Sequence, residues 1–489
     1  MVTPARDLHP NRPPTSTDRN LQPVPAGPPR TAPRRSYLLR NAAFRATVLG
    51  LFVLVFVAIR VIKALVWSGT AAAPQGFLGH LMVWGSITWI VLIPWAVADL
   101  IGWMIFRRHS PASDGYTGSP IDHTVAFRIV TRGDQPRVVC ETAHVILDTM
   151  AGRPLFPYSL EVVSDVPIAN LPEHHAVRPL VVPDGYATGN GATHKARALQ
   201  YALEHSPLPD DVWILHLDEE SHITPEVVEG IRDAVEAEEA SGELRIGQGL
   251  ILYDRTIEAN TFLTLADSVR VADDMGRFYL QYRLNRVLFG MHGSFVLVRS
   301  DVERRIGWDF PPDACVTEDT TWALMQMDAG NRFRWVDGTI VEQAPQTPMD
   351  FVKQRRRWFG GMWWGALRAP ARLAYRSMLI TAMIIWSFGW LNLLFSYTHL
   401  LSGVLIPTPI AILGDLVFAT YITNYVIGLW VSLTNRRQPW PGRIKYVILQ
   451  VVLLPAYTAL EGAAVVYALA KPEKGFHVVR KTSRTPAAT

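Results

Sequence analysis

Val212-Trp-Ile-Leu-His-Leu-Asp-Glu-Glu-Ser221 is an apolar run that ends abruptly in three acids. This pattern predicts a buried strand that delivers carboxylates to the open edge of an α/β sheet, where ligands bind beyond the carboxyl ends of strands. If the strand continues, Asp218 and Glu220 leave the same face, since side chains alternate along a strand. Two carboxylates on one face suit Mg²⁺ or Mn²⁺, ions that substrate phosphates commonly help to hold. A strand that ends in a solvated acidic turn is the alternative.

The apolar residues of this chain are unevenly distributed. Of its 489 residues 49% are hydrophobic and 18% are charged, and the apolar residues concentrate in the first and last hundred positions. This indicates a multi-pass membrane protein with a globular domain in the middle. The small net charge of +4 comes from basic residues beside the apolar runs, which indicates membrane topology and no nucleic-acid partner. The two cysteines cannot make a disulfide framework.

Two apolar runs near the N-terminus, residues 43–67 and 77–106, are each long enough to cross a bilayer. Arginines precede the first run and follow the second, so the positive-inside rule places both flanks in the cytosol with a short external loop near 70–76. We therefore predict two transmembrane helices in 37–109. Residues 1–36, rich in Pro and Arg, are predicted to be a disordered cytosolic tail. Two buried helices of a soluble core are the alternative.

Three further apolar runs, 378–401, 410–433 and 444–470, predict about three transmembrane helices in 376–470, followed by a basic tail at 471–489. Five crossings would place this basic tail outside, against the positive-inside rule. Pro455 and Glu461 interrupt the last run, so it is broken, re-entrant or interfacial if the rule holds. The sequence leaves this conflict open.

Strand-like and helix-like segments alternate through residues 120–346. Strands are predicted at 125–132, 159–165, 178–183 and 246–253, and helices at 136–150, 193–205, 225–240 and 261–282. The alternation predicts a mostly parallel sheet with helices on both faces. Thr131 and Asp165 then fall with the three acids at the carboxyl ends of strands, which is the position of a nucleotide pocket.

A glycine-rich turn at 189–191 opens the helix that carries His194, Lys195 and Arg197. Helix N-termini favour anions, and a lysine there adds a partner for phosphate. A plain helix cap with surface basic residues is the alternative. The spacing is neither that of a Walker motif nor that of a dinucleotide-binding fingerprint.

Two further segments contain candidate site residues. Gly290 and Gly293 would allow the backbone to approach a ligand closely, and His292 between them either touches substrate or is a hydrogen-bonded loop histidine. The segment Thr317-Glu318-Asp319 begins a helix with acids in its first turn. These acids either cap the helix or supply a carboxylate general base.

Residues 347–370 predict an amphipathic helix with an aromatic face beside a basic face, typical of a helix in the membrane interface. The segment Gln354-Arg-Arg-Arg-Trp358 lies within it. The sequence leaves open whether Gln354, Arg357 and Trp358 also point into the active site.

The order of five segments resembles the membrane-embedded family 2 glycosyltransferases, and within them the Egghead-type β-1,4-mannosyltransferases. The segments are Phe127-Arg-Ile-Val-Thr-Arg-Gly133, Lys195-Ala-Arg-Ala-Leu-Gln-Tyr-Ala202, His216-Leu-Asp-Glu-Glu220, Thr317-Glu-Asp319 and Gln354-Arg-Arg-Arg-Trp358. The last segment is shared with the processive cellulose- and hyaluronan-type synthases. The resemblance covers residues 120–365.

The resemblance implies a cytosolic nucleotide-sugar-binding domain of the GT-A fold, inserted between transmembrane helices, with inverting transfer and a divalent metal. Thr131 and Asp165 would contact the nucleoside, and Lys195 and Arg197 would lie near the diphosphate. The metal would be at Asp218 and Glu220, and Asp319 would be the base. The remaining implied contacts, to diphosphate, sugar or acceptor, are Gln354, Arg357, Trp358, Glu318, His292 and Gly293. Because Glu220 replaces the last Asp of the usual Asp-x-Asp, the sequence leaves open whether Glu219 or Glu220 holds the ion.

The expected activity is transfer of a hexose from a nucleotide donor to a hydroxyl, with GDP-mannose favoured and UDP-glucose as the alternative. The acceptor is a growing glycan or a glycolipid, and we favour processive synthesis of a β-linked glycan through the cell membrane. A membrane transporter or receptor that only binds a nucleotide is the competing class. A hydrolase with paired carboxylates would not need basic residues such as Lys195 and Arg357.

Overall fold

The computed structural model describes residues 34–67, 73–107, 116, 118–255, 257–402, 404–471 and 481. Most of the predicted tail (1–33), part of the external loop, most of the polar linker after Arg107 and most of the basic tail lie outside the described residues. The first helix, α1, spans Arg34–Trp67. The last three residues that were assigned to the disordered tail are therefore helical.

One sheet of eight strands organises the middle of the chain within the described residues, in the order β3-β2-β1-β4-β7-β6-β8-β5. The strands are β1 (Val125–Thr131), β2 (Tyr158–Ser164), β3 (Val177–Val181), β4 (Trp213–Asp218), β5 (His222–Ile223), β6 (Ile246–Leu252), β7 (Val296–Arg299) and β8 (Phe333–Val341). Every residue of β1 is buried, as expected for a central strand that is covered on both faces.

The sheet is mixed, and six of its eight strands run in the same direction, in line with the prediction of a mostly parallel sheet. Strands β1 to β4 pair in parallel, and so do β6 and β8. Strand β7, however, lies antiparallel between β4 and β6, and β5 is antiparallel to β8. The reversal arises because the loop before β7 lies at the acidic end of β4. Val296 pairs with His216 near that end, and the strand then runs back toward Trp213.

Helices cover the sheet as the sequence predicts, with one exception. The helices of this domain are α4 (Pro136–Gly152), α5 (His194–His205), α6 (Pro225–Ser241), α7 (Thr261–Asp267), α8 (Val269–Asp273), α9 (Tyr279–Arg283), α10 (Ser300–Arg304) and α11 (Glu318–Asp328). The single helix predicted over 261–282 is broken into α7, α8, a π-helical segment at Asp274–Phe278 and α9. It breaks because Gly276 adopts non-helical dihedrals (φ −91°, ψ −112°).

The predicted apolar runs form helices on both sides of this domain. They are α1, α2 (Gly76–Ile87), α3 (Ile93–Ile105), α13 (Leu373–Ser402), α14 (Thr408–Asn435) and α15 (Trp440–Ala470). A 3₁₀ turn at Thr88–Leu92 interrupts the second run just before Pro94, and α2 to α3 count as one candidate span. Five segments of the described chain are then long and apolar enough to cross a membrane.

The π-helical segment packs against α3 at a close contact between two glycines, Gly102 and Gly276. A β-carbon on Gly102 would lie 2.0 Å from the Gly276 carbonyl oxygen, and one on Gly276 would lie 2.5 Å from Asp99 Oδ1. Trp103 Nε1 also donates a hydrogen bond to the Ala272 carbonyl (3.1 Å). Because neither glycine leaves room for a side chain, the apolar helix α3 and the middle domain meet backbone to backbone.

Helix α12 (Pro348–Arg368) carries arginines that are buried rather than arrayed on an exposed basic face. The Arg355 side chain, 3% exposed, forms ion pairs with Asp267 of α7 and Glu461 of α15. Arg356 Nε donates a hydrogen bond to the Lys471 carbonyl (2.8 Å), which follows α15. These contacts hold α12 against α15. The placement of α12 at a membrane surface stays a prediction.

Helix α15 and the residues that flank it contact the middle domain and α12. Immediately before α15, Arg436 Nη1 donates to the Asp254 carbonyl (2.8 Å). Within it, Gln450 Nε2 donates to the Leu265 carbonyl (3.1 Å), and at its far end Lys471 is held by Arg356. The last apolar run is thus held to the middle domain just before its start and at Gln450, and to α12 at its far end.

Candidate active site

Thr131 and Asp165, which are predicted to contact a nucleoside, lie at the carboxyl ends of β1 and β2. Thr131 pairs with Ser164, so Thr131 and Asp165 lie on neighbouring strands. Thr131 Oγ1 donates to Glu219 Oε2 (2.5 Å), and Arg197 Nη1 donates to Asp165 Oδ1 (2.9 Å). Arg197 also donates to the carbonyls of Tyr186 and Pro183. Arg197 therefore holds the carboxylate of Asp165 in place.

The three consecutive acids at the end of β4 each have different partners. Asp218 is paired with Lys195, and Glu219 accepts hydrogen bonds from Thr131 and from Gln135 Nε2 (2.6 Å). Glu220, which is 5% exposed, is paired with Lys481. The expected strand alternation does not reach Glu220, because β4 ends at Asp218 and the Ser221 amide donates to the Asp218 carbonyl (3.1 Å), closing a turn.

Lysine side chains set the charge of this acidic end. Lys195 Nζ contacts Asp218 and donates to the Gly293 carbonyl (2.7 Å). Burial lowers the pKa of Lys195, but the Asp218 and Glu318 carboxylates more than offset this and raise it above the usual value. Burial acts to raise the pKa of Asp218, yet Lys195 holds it below the usual range. The ammonium and the carboxylate therefore remain charged together.

Glu318 and Asp319 begin α11, immediately after a 3₁₀ segment at Pro312–Thr317. The Thr320 amide donates to Asp319 Oδ1 (2.6 Å), which fixes the carboxylate at the helix N-terminus. Burial raises the pKa of Asp319, and burial together with Asp319 raises the pKa of Glu318 to about 7. A carboxyl group with a raised pKa is suited to accept a proton near neutral pH.

The loop before β7 brings His292 and Gly293 to this pair of acids. A β-carbon on Gly293 would lie 3.0 Å from Asp319 Oδ2 and 3.4 Å from Lys195 Nζ, so only glycine leaves this space open. His292 Nε2 contacts Asp274 Oδ1 (2.7 Å), and the imidazole stacks on Phe278 (4.8 Å between ring centroids). His292 is thus both a hydrogen-bonded loop residue and part of the cavity wall.

Helix α12 closes the site from the other side. Arg357 Nη1 donates to the Val316 carbonyl (3.3 Å), directly before the Thr317-Glu318-Asp319 segment. The Trp358 ring is in contact with two guanidinium groups, with Arg270 Cζ at 4.7 Å and Arg355 Cζ at 4.5 Å from its centroid. Near Arg357, burial lowers the pKa of His194, and Arg132 and Arg357 lower it further. This part of the site is rich in cations, as a diphosphate requires.

One cavity of about 480 Å³ joins these groups. Of the thirteen residues predicted from the sequence, it is lined by all except Arg197, namely Thr131, Asp165, Lys195, Asp218, Glu220, His292, Gly293, Glu318, Asp319, Gln354, Arg357 and Trp358. The cavity continues past Trp358 to residues of the apolar helices, including Leu92, Trp390, Val417 and Tyr421. The site therefore spans the middle domain and the helices that flank it.

Several lining residues were not predicted from the sequence. Glu342 follows β8 and accepts hydrogen bonds from Ser221 and Ser294, and burial raises its pKa to about 7. Lys481 reaches Glu220 from beyond α15. Asp99 and Asn424 come from apolar helices, where an isolated polar residue was the available signal.

Known proteins resemble this chain in sequence over most of its length. The model of the family "Glycosyl transferase family group 2" matches residues 213–433. The β-1,4-mannosyltransferase egh of Drosophila melanogaster is 32% identical over 403 residues, which are 81% of this chain and 86% of that protein. The β-1,4-mannosyltransferase bre-3 of Caenorhabditis elegans is 30% identical over 407 residues, 81% and 87% of the two chains.

One solved structure that aligns with this chain is "Mannosyltransferase PcManGT from Pyrobaculum calidifontis in complex with GDP-Man and Mn2+". It is 14% identical, with a TM-score of 0.43, and the alignment covers 80% of this chain and all of that one.

Proposed function

Because the chain belongs to the group 2 glycosyltransferases, of the kind represented by the egh and bre-3 mannosyltransferases, we propose that it transfers mannose from GDP-mannose to a hydroxyl acceptor with inversion, forming a β-linkage. The observation that best supports the proposal is that the candidate base and the cationic side chains line one cavity. Asp319, a buried carboxylate, faces the same space as Lys195, Arg357 and the acidic end of β4. A base and cations for a diphosphate leaving group are what this reaction needs.

In the proposed reaction Asp319 removes the proton from the acceptor hydroxyl while the hydroxyl oxygen attacks the anomeric carbon. The bond from that carbon to the diphosphate oxygen breaks on the opposite face, and Lys195 and Arg357 stabilise the charge that develops on the diphosphate. Attack opposite the leaving group converts an α-linked donor into a β-linked product. Thr131 and Asp165 hold the nucleoside, and the Trp358 ring packs against the acceptor.

The acidic end of β4 fits a divalent cation. Within the described residues no three His, Cys, Asp or Glu side chains converge to hold a metal ion by themselves. Asp218 and Glu220 nevertheless supply two hard oxygen donors that line the cavity, as Mg²⁺ or Mn²⁺ shared with a diphosphate requires. Glu219 accepts hydrogen bonds from Thr131 and Gln135, whereas Glu220 is held by the ammonium of Lys481, whose charge a divalent cation would replace, so we assign the metal to Glu220. When bound, the ion would neutralise charge on the leaving group.

We further propose four membrane crossings with the catalytic domain in the cytosol. Arg436 places the end of α14 at the domain, so α15 starts on that side. Arg356 and Glu220 then hold Lys471 and Lys481 on the same side. Helix α15 therefore lies along the domain without crossing, and the basic tail satisfies the positive-inside rule. A protease added to sealed vesicles should remove a C-terminal tag only when the catalytic domain is also accessible.

The experiment that tests the proposed activity is nucleotide release by the full chain in lipid nanodiscs with Mg²⁺ or Mn²⁺. GDP-mannose and UDP-glucose are compared as donors, and the products are sized on a gel. Asp319→Asn should keep donor binding and lower turnover by about 10²–10⁴-fold, because a positioned general base contributes that much. Asp313→Asn, an exposed carboxylate in the preceding 3₁₀ segment, is the matched control.

The outcomes distinguish the competing functions. Donor binding without release of nucleotide by the unaltered chain would indicate a binding protein instead of a transferase. Turnover of UDP-glucose but not GDP-mannose would overturn the donor assignment. A ladder or a high-molecular-weight product would identify processive synthesis of a glycan, whereas a single added sugar would identify transfer to a glycolipid.

A further inference from the structure

The cavity contains a second group of charged side chains, beyond His292 and on the side of the apolar helices. Arg277 Nη2 donates to Asp273 Oδ2 (2.6 Å), and the Arg277 amide donates to Asp99 Oδ1 (3.0 Å). Asp99 Oδ2 accepts from Asn424 Nδ2 of α14 (3.0 Å). The cluster thus joins α3, α14 and the π-helical segment, and all four residues line the cavity.

Two polar atoms of this cluster have no hydrogen-bond partner among the described residues. Asn424 is 7% exposed, and its Oδ1 is buried without a donor. Arg277 Nε is likewise buried without an acceptor, while its guanidinium lies over the Trp95 ring (4.1 Å). Buried polar groups are nearly always paired, and an unpaired one costs free energy. An acceptor and a donor left over on one cavity wall indicate a ligand that offers both.

The charge of the cluster selects among ligands. Asp99 and Asp273 face the single guanidinium of Arg277, and Asp274 next to it is engaged by His292. Burial raises the pKa of Asp273 to about 8, offset in part by Arg277 and reinforced by Asp99. With Asp273 protonated, Asp99 balances the guanidinium of Arg277 and no net positive charge attracts a phosphate, whereas the carboxyl oxygens exchange hydrogen bonds with hydroxyl groups. A neutral polyol suits this wall and an anionic headgroup does not.

We propose that Asp99, Asp273, Arg277 and Asn424 bind the sugar hydroxyls of a neutral glycosyl acceptor and so position its reacting hydroxyl toward Asp319. The inference rests on the proposed transferase function. Two consecutive residues connect Asp319 with this cluster. Gly293 adjoins Asp319, and His292 contacts Asp274, which is next to Asp273. The apolar lining beyond the cluster, including Leu92 and Val417, then receives the remainder of the acceptor.

The test compares Asn424→Leu and Arg277→Lys with the unaltered chain in nanodiscs, using hexyl β-glucoside as the acceptor probe. The control is Asn435→Leu, the same substitution at an exposed position at the end of α14. Loss of a ligand hydrogen bond should raise the KM for the glucoside about tenfold, since 1.4 kcal/mol is a factor of ten. The KM for the nucleotide sugar should stay within about twofold, which also shows that the variants are folded.

A binding measurement makes the result independent of turnover. Hexyl β-glucoside should quench tryptophan fluorescence of the unaltered chain more strongly than of Asn424→Leu, and hexyl phosphate should bind neither. Unchanged binding and KM for the glucoside in both variants would overturn the inference, as would preferential binding of hexyl phosphate or an equal loss of donor affinity. If the unaltered chain binds the glucoside but releases no nucleotide from any donor, the proposed function fails while the sugar site stands.

Discussion

Replacement of Arg355 with methionine tests the contact that holds α12 and α15 to the catalytic domain. The substitution keeps the length of the side chain and removes its charge, and it leaves Asp267, whose side chain is 0% exposed, with the more distant Arg270 Nη1 (3.7 Å) as its remaining ion-pair partner. Breaking a buried ion pair from one side costs about 3–5 kcal/mol, because an uncompensated charge remains. The pair with Glu461, which is 26% exposed, adds less than about 1 kcal/mol.

The expected loss is therefore about 3–5 kcal/mol in the free energy of unfolding. At roughly 2–4 °C per kcal/mol for a domain of this size, the midpoint of thermal unfolding in nanodiscs should fall by about 6–20 °C. The matched control, Arg368→Met, changes an exposed arginine at the end of the same helix and should leave the midpoint unchanged. Nanodisc scanning fluorimetry is sufficient, because the comparison needs only differences.

A second substitution separates the lost ion pair from lost packing. Asp267→Asn in the Arg355→Met background removes the orphaned charge, so the double variant should recover most of the lost stability. A drop of less than about 2 °C in the single variant would show that Asp267 is solvated in the membrane-bound protein. Failure of the double variant to recover would show that the packing of α12 on α15, and not the charge, provides the stability.

Three further predictions follow from the burial of the site. The acid limb of the pH profile of kcat/KM should have its midpoint at a higher pH than an ordinary aspartate would give, because burial raises the pKa of Asp319 in the free enzyme. A pH–rate profile measures this midpoint, and an acid limb that is unchanged in Asp319→Asn would contradict the prediction. Thermal stability of the unliganded protein should fall as the pH rises from about 4.5 toward 7, since the folded chain retains protons there that the unfolded chain has lost; a midpoint that rises over this range would contradict the raised pKa values of Glu219, Glu318 and Glu342. Gly102→Ala should lower the free energy of unfolding by about 1–3 kcal/mol or more, because the new methyl group clashes with the Gly276 carbonyl. In the control, Gly50→Ala on α1, a β-carbon meets nothing within 4 Å, so its midpoint of thermal unfolding should equal that of the unaltered chain.

The catalytic half of the site was predictable because each part is local in sequence. The acids at the end of β4 and the Thr317-Glu318-Asp319 segment follow from a strand end and a helix start, whereas the sequence left the direction of Trp358 open. The direction of Glu220 was not predictable, because it depends on the turn that ends β4 at Asp218. The general lesson is that strand periodicity applies only as far as the strand continues.

The acceptor half of the cavity was hidden because it is assembled from distant segments. Asp99 and Asn424 are 325 positions apart and meet through one hydrogen bond between two apolar helices. The break in the predicted helix over 261–282 has the same origin. Gly276 by itself is an unremarkable helix residue of low propensity, and its non-helical conformation depends on the approach of Gly102. Tertiary contacts between distant residues cannot be predicted from the local sequence pattern around either residue.

With α3 crossing the membrane as proposed, the contact between Gly102 and Gly276 should make acceptor binding sensitive to the thickness of the bilayer. A helix that is longer than the surrounding hydrocarbon tilts to fit it. No side chain separates α3 from the π-helical segment at Gly102 and Gly276. A tilt of α3 should therefore also move Asp99 and Arg277, which line the cavity. Lipids with longer or shorter acyl chains should therefore shift the KM of the acceptor before they affect the KM of the donor.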